Sequence, residues 1–387
     1  MRWSSAVSRE AELDEAIDEV VEQVRGELGD DPPDLAAVFV SAHHAACYAG
    51  VARRLMAGLA PRVVIGCSAG GVIGGAREVE EAPGVSLTAA RLPDVDLEPF
   101  HVANAAETSA WDQRGSLAAS EQPQFLLLAD PFSFDTEAFL RSLDRTFPES
   151  GKIGGLASGG RRPGENVLYL GADVHREGLV GVAMSGNLEL DTIVAQGCRP
   201  LGDPMFVTRS QGNVIYALDG KSPVEVLQEL YGRLDERDRE LCRHSLFLGI
   251  VMKESAGVYR QGDFLIRNLV GIDPDAGTLA IGALIADGTI VQFHLRDAKT
   301  SAEDLEELLS RVDPAAEPRP QGSLLFSCLG RGKHLYGRPD HDTDAFRRHL
   351  GDVPLGGFFC NGEIGPVQGK TFLHGYTSSF GLFRPRT

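Results

Sequence analysis

The chain ends in three apolar runs, SLLFSCLGRGKHLYG (323–337), VPLGGFFCNGEIGP (353–366) and TFLHGYTSSFGLF (371–383). Short apolar runs bounded by glycine are typical of buried strands. The first two runs each contain a cysteine followed by a glycine-rich turn, where few side chains would keep a ligand from the main chain. Because ligands in α/β sheets bind beyond the carboxyl ends of the strands, this part of the chain predicts a small-ligand site.

The predicted site consists of residues from these turns and a few polar residues that could face them. They are Cys328, Gly330, Arg331, Cys360, Asn361, Gly362, Glu363, Arg267, Asn268 and His374. Glu363 could bind an ammonium group, and Arg331 or Arg267 could hold a carboxylate through a bidentate fork, which would suit an amino-acid zwitterion. The alternatives are that Glu363 caps N–H groups of its own turn and that Arg267 and Asn268 pair within the core.

Two stretches of the chain share one order of elements, which indicates an internal duplication. One runs from QFLLLADPF (124–132) to NVLYLGADV (166–174), the other from SLLFSCLG (323–330) to TFLHGYTSSF (371–380). Each has a strand, a helix beginning D-T-x-A-F whose Asp would cap the first turn, a strand with Gly-Gly, a polar turn and a further strand. The pattern predicts an α/β protein of two related lobes of mixed β-sheet flanked by helices, with pseudo-twofold internal duplication. A chance likeness is the alternative.

Looser relatives of this module begin at AVFVSA (37–42) and SLFLGIVM (245–252). Glycine and proline cluster at 186–204, which favours a boundary between the lobes there. The expected parts are an N-terminal amphipathic helix, one domain and a second domain, over 1–34, 35–195 and 196–387. The helix is predicted over 10–28, where apolar residues recur at helical spacing and Ser8 could cap the first turn.

Composition restricts the classes of partner. The formal net charge is −18 over 387 residues, whereas nucleic acids and anionic membranes are bound by basic faces. No apolar run approaches the roughly 20 residues that span a bilayer, and the N-terminus lacks the apolar region of a signal peptide. We therefore expect a cytoplasmic protein with no nucleic-acid partner and no membrane insertion. The six cysteines are scattered, which favours reduced thiols over disulfides.

The motif Gly66-Cys67-Ser68-Ala69-Gly70 fits the G-x-S-x-G pattern of serine hydrolases, in which a helix follows the serine. Gly71, Gly74 and Gly75 give poor propensity for that helix, so we expect no catalytic residue. A hydrolase-like enzyme that uses Ser68 or Cys360 as nucleophile stays an alternative, and so does the reading of Cys360 as a small apolar core residue.

Metal and cofactor motifs are weak. The densest groups of possible metal ligands are His43-His44-x-x-Cys47 and Asp340-His341-Asp342, and neither has the spacing of a zinc site. The chain has no P-loop and no G-x-G-x-x-G. We therefore expect no metal and no cofactor.

Several longer motifs are similar to those of one known family. They are GCRPLGDPMFVT (197–208), NVIYALDGKSPVEVL (213–227), DFLIRNLVGIDPDAGTLAIG (263–282), SLLFSCLGRG (323–332), GGFFCNGEIGP with FLHGYTSSFGLF (356–383) and, more weakly, VVIGCSAGGVIGG (63–75). In these motifs the chain resembles the FIST family, whose N-terminal and C-terminal domains occur together in bacterial sensory proteins and in a eukaryotic F-box protein.

The resemblance implies a sensory, small-ligand-binding protein without covalent chemistry, for which amino acids are candidate ligands. Family members commonly carry an output module, such as a kinase or a cyclase, and this sequence shows none. The resemblance therefore implies a separate signalling protein as partner. A ligand-free interaction scaffold is the remaining alternative.

Overall fold

The structure is a computed structural model that describes residues 1–104, 122–252, 259–313 and 317–386. Its helices are α1 (Leu13–Leu28), α2 (Val51–Leu59), α3 (Thr136–Thr146), α4 (Pro223–Arg233), α5 (Glu236–Ser245), α6 (Ala298–Ser310), α7 (Gly332–Tyr336) and α8 (His341–Leu350), and a 3-10 helix covers Ala42–Gly50. Its strands are β1 (Arg2–Ser8), β2 (Leu35–Ser41), β3 (Val63–Ala69), β4 (Gly71–Gly74), β5 (Arg77–Glu80), β6 (Val85–Arg91), β7 (Val95–Val102), β8 (Gln124–Ala129), β9 (Lys152–Leu156), β10 (Leu168–Leu170), β11 (Asp173–His175), β12 (Leu179–Gly186), β13 (Glu189–Gln196), β14 (Cys198–Gln211), β15 (Val214–Leu218), β16 (Leu246–Val251), β17 (Phe264–Asp273), β18 (Thr278–Ile281), β19 (Ile290–Arg296), β20 (Gly322–Cys328), β21 (Leu355–Cys360), β22 (Glu363–Val367), β23 (Lys370–His374) and β24 (Thr377–Arg384).

The chain divides into two compact units. The first contains Met1–Val194, Glu306–Leu373 and Thr377–Thr387, and the second contains Ala195–Leu305 and His374–Tyr376. The units therefore do not follow one another along the chain, because β20 to β24 build sheets together with N-terminal strands. The domain bounds predicted from the sequence, 1–34, 35–195 and 196–387, stay a prediction, because each compact unit is built from more than one segment of the chain.

Three six-stranded mixed sheets form the first unit. Their strand orders are β1-β6-β2-β3-β10-β11 (sheet A), β13-β24-β20-β21-β4-β5 (sheet B) and β23-β22-β9-β8-β12-β7 (sheet C). Among the described pairings, each sheet has one parallel pair, which is β2–β3 in A, β20–β21 in B and β8–β9 in C. A helical crossover joins the two strands of each pair, as parallel strands require. The predicted α/β class, with mixed sheets flanked by helices, is confirmed.

The two stretches predicted to be duplicates contribute the parallel pairs of sheets C and B, and sheet A holds a third pair of the same kind. After each parallel pair the chain leaves its own sheet for another. After β3 of sheet A the chain forms β4, which pairs with β21 in sheet B. After β21 of sheet B it forms β22, which pairs with β9 in sheet C. After β9 of sheet C it forms β10, which pairs with β3 in sheet A. The duplication is therefore part of a threefold relation with cyclic exchange of strands.

One glycine recurs at the same register position of the three parallel pairs. There the partner strand's carbonyl oxygen lies where a side chain would begin. An added Cβ would be 2.0 Å from Val38 O at Gly66, 1.8 Å from Leu127 O at Gly154 and 1.8 Å from Leu325 O at Gly357. This close approach explains the glycines in VVIGCSA, KIGGLA and PLGGFF.

The sheets share a core, and helices cover their outer faces. Phe39 of sheet A stacks on Phe358 of sheet B with ring centroids 4.7 Å apart, and these rings belong to one buried cluster with Leu126 of sheet C. Helix α1 buries the seven apolar residues that the pattern indicates, which are Leu13, Ala16, Ile17, Val20, Val21, Val24 and Leu28. Together with α2 it packs on sheet A.

The start of α1 differs from the prediction. Glu12 holds the N-cap position, whereas Ser8 ends β1 and donates its hydroxyl hydrogen bond to Glu19. Strand β1 itself, which pairs with β6 along its whole length, has no counterpart in the sequence prediction. Because RWSSAVS is mostly polar or small, its pattern alone does not indicate a strand.

The second unit is built around a closed barrel with strand order β14-β15-β18-β17-β16-β19. All of its described pairings are antiparallel. The prediction of a fourth module beginning at 245 is therefore wrong. The strands β17 and β18 are joined by four residues, a connection too short for the crossover that a parallel pair needs. Among the described helices, none is long and apolar enough to cross a membrane.

Candidate functional site

The carboxyl ends of β3, β9 and β21 meet where the chain passes between sheets. Ser158, just beyond β9, accepts the Gly70 N–H at 2.8 Å and donates its hydroxyl to the carbonyl oxygen of Phe359 at 2.5 Å. Asn361 donates its side-chain amide to the carbonyl of Ala157 at 2.9 Å. Residues at matching positions of the three modules are thus hydrogen-bonded to one another.

A surface pocket of about 390 Å³ opens beside this meeting point. Its described lining consists of Gly70, Gly71, Glu80, Glu81, Leu329, Lys333, His334 and Phe359. The pocket therefore combines main chain, two apolar side chains and side chains of both charge types. Leu329 and Phe359 directly precede two of the predicted ligand residues, Gly330 and Cys360, which places the pocket next to the site that the sequence predicts.

Arg331 is buried and is not among the described lining residues of this pocket. Its side chain is fully buried and pairs with Asp342, with 2.9 Å from Nε to Oδ2 and 3.1 Å from Nη2 to Oδ1. Burial opposes the charge of Arg331, but the attraction of Asp342 raises the pKa of Arg331 above its ordinary value. The guanidinium fork of Arg331 was predicted to bind the carboxylate of a ligand. In the structure it binds the carboxylate of Asp342.

Asp342 collects several donors besides Arg331. Ser378 donates its hydroxyl at 2.5 Å, and His341 Nδ1 lies 2.9 Å from Oδ1. Although burial opposes ionisation, Arg331 lowers the pKa of Asp342. The prediction that Asp342 caps its helix is wrong, because it lies inside the first turn of α8 and Asp340 holds the N-cap position. Its counterpart Asp135 does cap α3, by accepting the Ala138 N–H at 3.0 Å.

Glu363 is also fully buried. It accepts the N–H of Thr377 at 3.1 Å and its hydroxyl at 2.7 Å, and Cys360 Sγ lies 3.5 Å from Oε1. Burial raises the pKa of Glu363 to about 7, against the hydrogen bonds from Thr377. Glu363 therefore joins β22 to β24 from within the first unit, and its role as ligand for an ammonium group stays a prediction.

The other predicted residues fall into two places. Cys328 is half-buried and Cys360 is buried, and they are register partners in β20 and β21. The carbonyl of Gly362 accepts the Leu156 N–H at 2.8 Å, next to the exposed Asn361. The remaining three predicted residues, Arg267, Asn268 and His374, lie in the second unit.

Two of those three have contacts within the barrel unit. Arg267 donates to the carbonyl of Ile266 at 3.0 Å, and Asn268 accepts a hydrogen bond from the hydroxyl of Tyr376. His374 is buried. The pairing of Asn268 agrees with the alternative that this polar stretch finds partners within the protein.

Three residues of β5 and α7, which are Glu78, Glu80 and Lys333, were not predicted from the sequence. Glu78 is buried, and its Oε1 accepts the Thr343 N–H at 2.9 Å. Glu80 accepts the main-chain N–H of Lys333 at 2.9 Å. A usable signal is the alternation R-E-V-E at 77–80, which puts both glutamates on one face of a short strand.

Ser68 lies in an environment unlike a nucleophile elbow. It is fully buried, and its hydroxyl accepts the Val167 N–H at 3.2 Å. The element that follows is the strand β4, as the glycines indicate, and not a helix. Within the described ranges, no three His, Cys, Asp or Glu side chains are placed to hold a metal ion.

The buried carboxyls make stability depend on pH. Burial, and then the charge of Asp342, raises the pKa of Glu78 from 4.5 to about 8, and Glu363 shifts in the same direction. A carboxyl whose pKa is raised by folding stabilises the protein fully below its unfolded pKa, and this contribution is lost as pH rises through the folded pKa. We expect the free energy of unfolding to fall between about pH 4.5 and about pH 8.

Urea denaturation at several pH values measures this fall, and Glu78→Gln should flatten it because the amide does not titrate. Glu22→Gln is the control, since Glu22 is exposed on α1. A slope that Glu78→Gln leaves unchanged would contradict the assignment.

The three mixed sheets, the barrel and the pocket at the strand ends define an α/β protein of two units. A model of the FIST N domain matches residues 34–221, and a model of the FIST C domain matches residues 223–366. The chain therefore belongs to the FIST family, and domains of this family are generally taken as sensory and signal-transduction domains.

Relatives match the chain along most of its length. The uncharacterized protein Rv0628c of Mycobacterium tuberculosis (strain ATCC 25618 / H37Rv) is 37% identical over 384 residues, which covers 99% of this chain and 100% of that protein. The uncharacterized protein Mb0898c of Mycobacterium bovis is 35% identical over 393 residues and 99% of each chain. F-box/LRR-repeat protein At5g63520 of Arabidopsis thaliana is 28% identical over 313 residues, which are 67% of this chain and 57% of that protein.

Proposed function

We propose that this chain is a sensory protein that binds a small zwitterion, such as an amino acid, in the pocket at the ends of β3 and β21. The observation that carries the proposal is the pocket itself, because it places acidic and basic side chains beside accessible main chain and apolar walls. Ligand sites combine an apolar lining with a few convergent polar groups in this way.

The charged groups of the pocket are available for exchange. Lys333 Nζ lies 3.3 Å from Glu81 Oε2, and both side chains are more than half exposed. Such exposed pairs contribute about 0–1 kcal/mol, so a ligand can replace the pair at little cost. The ligand's carboxylate would contact Lys333, its ammonium group would contact Glu81 or Glu80, and an apolar side chain would contact Leu329.

The buried predicted residues adjoin the pocket lining along the chain and would support it. Arg331 begins the turn into α7, and its pairing with Asp342 holds that turn against the sheet. Cys328, Gly330 and the turn of Asn361 and Gly362 would position the walls. We propose that binding alters the turn at 329–334, and that a separate signalling protein in the cytoplasm reads this change.

A thermal-shift screen of the full chain with the common amino acids and related carboxylates tests the proposal. A ligand at 100 times its Kd adds about 2.7 kcal/mol to the stability. Lys333→Ala should weaken the shift, whereas Lys370→Ala, an exposed lysine outside the pocket lining, should leave it unchanged. Shifts that Lys333→Ala does not reduce would place the site elsewhere, and no shift with any compound would favour an interaction scaffold.

A further inference from the structure

Two cysteines end neighbouring parallel strands at the same register position. Cys328 is the last residue of β20, Cys360 is the last residue of β21, and they are direct partners in the pairing. Adjacent strands lie about 4.8 Å apart, and disulfides join Cα atoms about 4.4–6.8 Å apart. Registered residues of parallel strands project to one face of the sheet, so the two thiols are within bridging reach.

The surroundings give the two thiols different roles. Cys328 is half-buried at the start of the turn beside the pocket, and Cys360 is fully buried. Cys328 lies close enough to the Arg331 guanidinium to interact with it electrostatically, and a nearby cation favours a reactive thiolate. A small oxidant would therefore meet Cys328 first.

Cys360 has a proton acceptor in place. Its Sγ lies 3.5 Å from Oε1 of Glu363 and 3.3 Å from the carbonyl oxygen of Ser327. Burial raises the pKa of the Cys360 thiol well above its ordinary value, so this thiol needs a base before it can attack. Glu363, whose pKa is raised to about 7, can take up the proton near neutral pH.

We propose that Cys328 and Cys360 form a disulfide when hydrogen peroxide oxidises the protein, with Glu363 as the base. In the first step the Cys328 thiolate attacks one peroxide oxygen, the O–O bond breaks, and a sulfenic acid and water result once the leaving hydroxide is protonated. In the second step Glu363 takes the proton of Cys360, whose sulfur attacks the sulfenic sulfur. The S–O bond of the sulfenic acid breaks, and the departing hydroxide takes the proton from Glu363 and leaves as water.

The disulfide would fix the beginning of the 329–334 turn to the end of β21. It would also remove the thiol hydrogen bond from Glu363 and leave that carboxyl with its Thr377 contacts. This inference does not depend on the proposed ligand, because the cross-link forms in the protein alone.

Peptide mapping of the full chain by mass spectrometry, without reductant, tests the inference after treatment with one to a few equivalents of hydrogen peroxide. The expected product is a peptide pair joined through Cys328 and Cys360 that a phosphine reductant separates. Cys360→Ser should stop oxidation at a Cys328 sulfenic acid that dimedone traps. Glu363→Gln should slow cross-linking by at least about tenfold. Cys47→Ser, which removes an exposed cysteine, should not change the rate.

Three outcomes would overturn the inference: sulfinic acid at Cys328 without a cross-link, a cross-link of Cys360 to Cys67, or both thiols intact when Cys47 is already oxidised. Circular dichroism of Cys360→Ser and Glu363→Gln shows that each variant is folded. If Glu363→Gln is unfolded, the cross-linking rate of the wild type at several pH values replaces it. A rate that does not rise through about pH 7 would then exclude Glu363 as the base.

Discussion

Replacing Asp342 by alanine should destabilise the first unit by about 3–5 kcal/mol, because Arg331 would keep its charge in a fully buried place without its carboxylate. The side chains of the pair are 0% and 2% exposed. The loss also removes an acceptor from Ser378 and from His341. Each of these donors would then stay buried without this hydrogen bond, which adds part of its desolvation penalty to the loss of stability.

Urea denaturation followed by circular dichroism measures the effect. The matched control is Arg338→Ala, which removes the partner of Asp344, a residue of α8 like Asp342. The side chains of this pair are 47% and 31% exposed, so its loss should cost about 1 kcal/mol or less. The double variant Arg331→Met with Asp342→Leu should recover much of the stability, since apolar residues can replace a buried pair. A loss of 1 kcal/mol or less for Asp342→Ala would show that solvent reaches Arg331.

Local patterns in the sequence predicted local structure well. The spacing of seven apolar residues identified α1 and its buried face. The repeated D-T-x-A-F and Gly-Gly patterns identified two strand–helix–strand segments, which in the structure form the parallel pairs β8–β9 and β20–β21. The exchange of strands among the sheets was not predictable in this way. Val72 pairs with Phe358, and nothing in the residues near either one specifies so distant a partner.

For the candidate site, the sequence indicated a region and not its charged residues. Glycine turns after the strands at 328 and 360 predicted a site at these strand ends, and a pocket lies beside them. Which charged residues face solvent depends on tertiary pairing. Arg331 is buried together with Asp342, which lies eleven residues on in the first turn of α8. Glu80 and Lys333 reach the pocket from segments 253 residues apart, and no motif indicates the hydrogen bond from the Lys333 N–H to the Glu80 carboxylate.

The largest effect is expected at the three glycines of the parallel pairs. Alanine at Gly154 or Gly357 would place Cβ 1.8 Å from a main-chain carbonyl oxygen, and alanine at Gly66 would place it 2.0 Å away. Gly154 and Gly357 also have φ of 158° and 144°, which L residues rarely adopt. Since a main-chain oxygen in a central strand cannot move without breaking its pairing, each alanine should cost about 4 kcal/mol or more.

The control for this prediction is Gly26→Ala, because Gly26 lies within α1 and has nothing within 4 Å of its added Cβ. Alanine there should stabilise the protein by about 0.5–1 kcal/mol through helix propensity. Soluble yield and urea midpoints of the four variants give the comparison. If the three modules are equivalent in structure, Gly66→Ala should be as damaging as the other two, although it stands alone in the sequence without a second glycine. A mild effect at Gly66 alone would mean that sheet A tolerates a wider strand separation and that the threefold relation does not extend to the packing of its parallel pair.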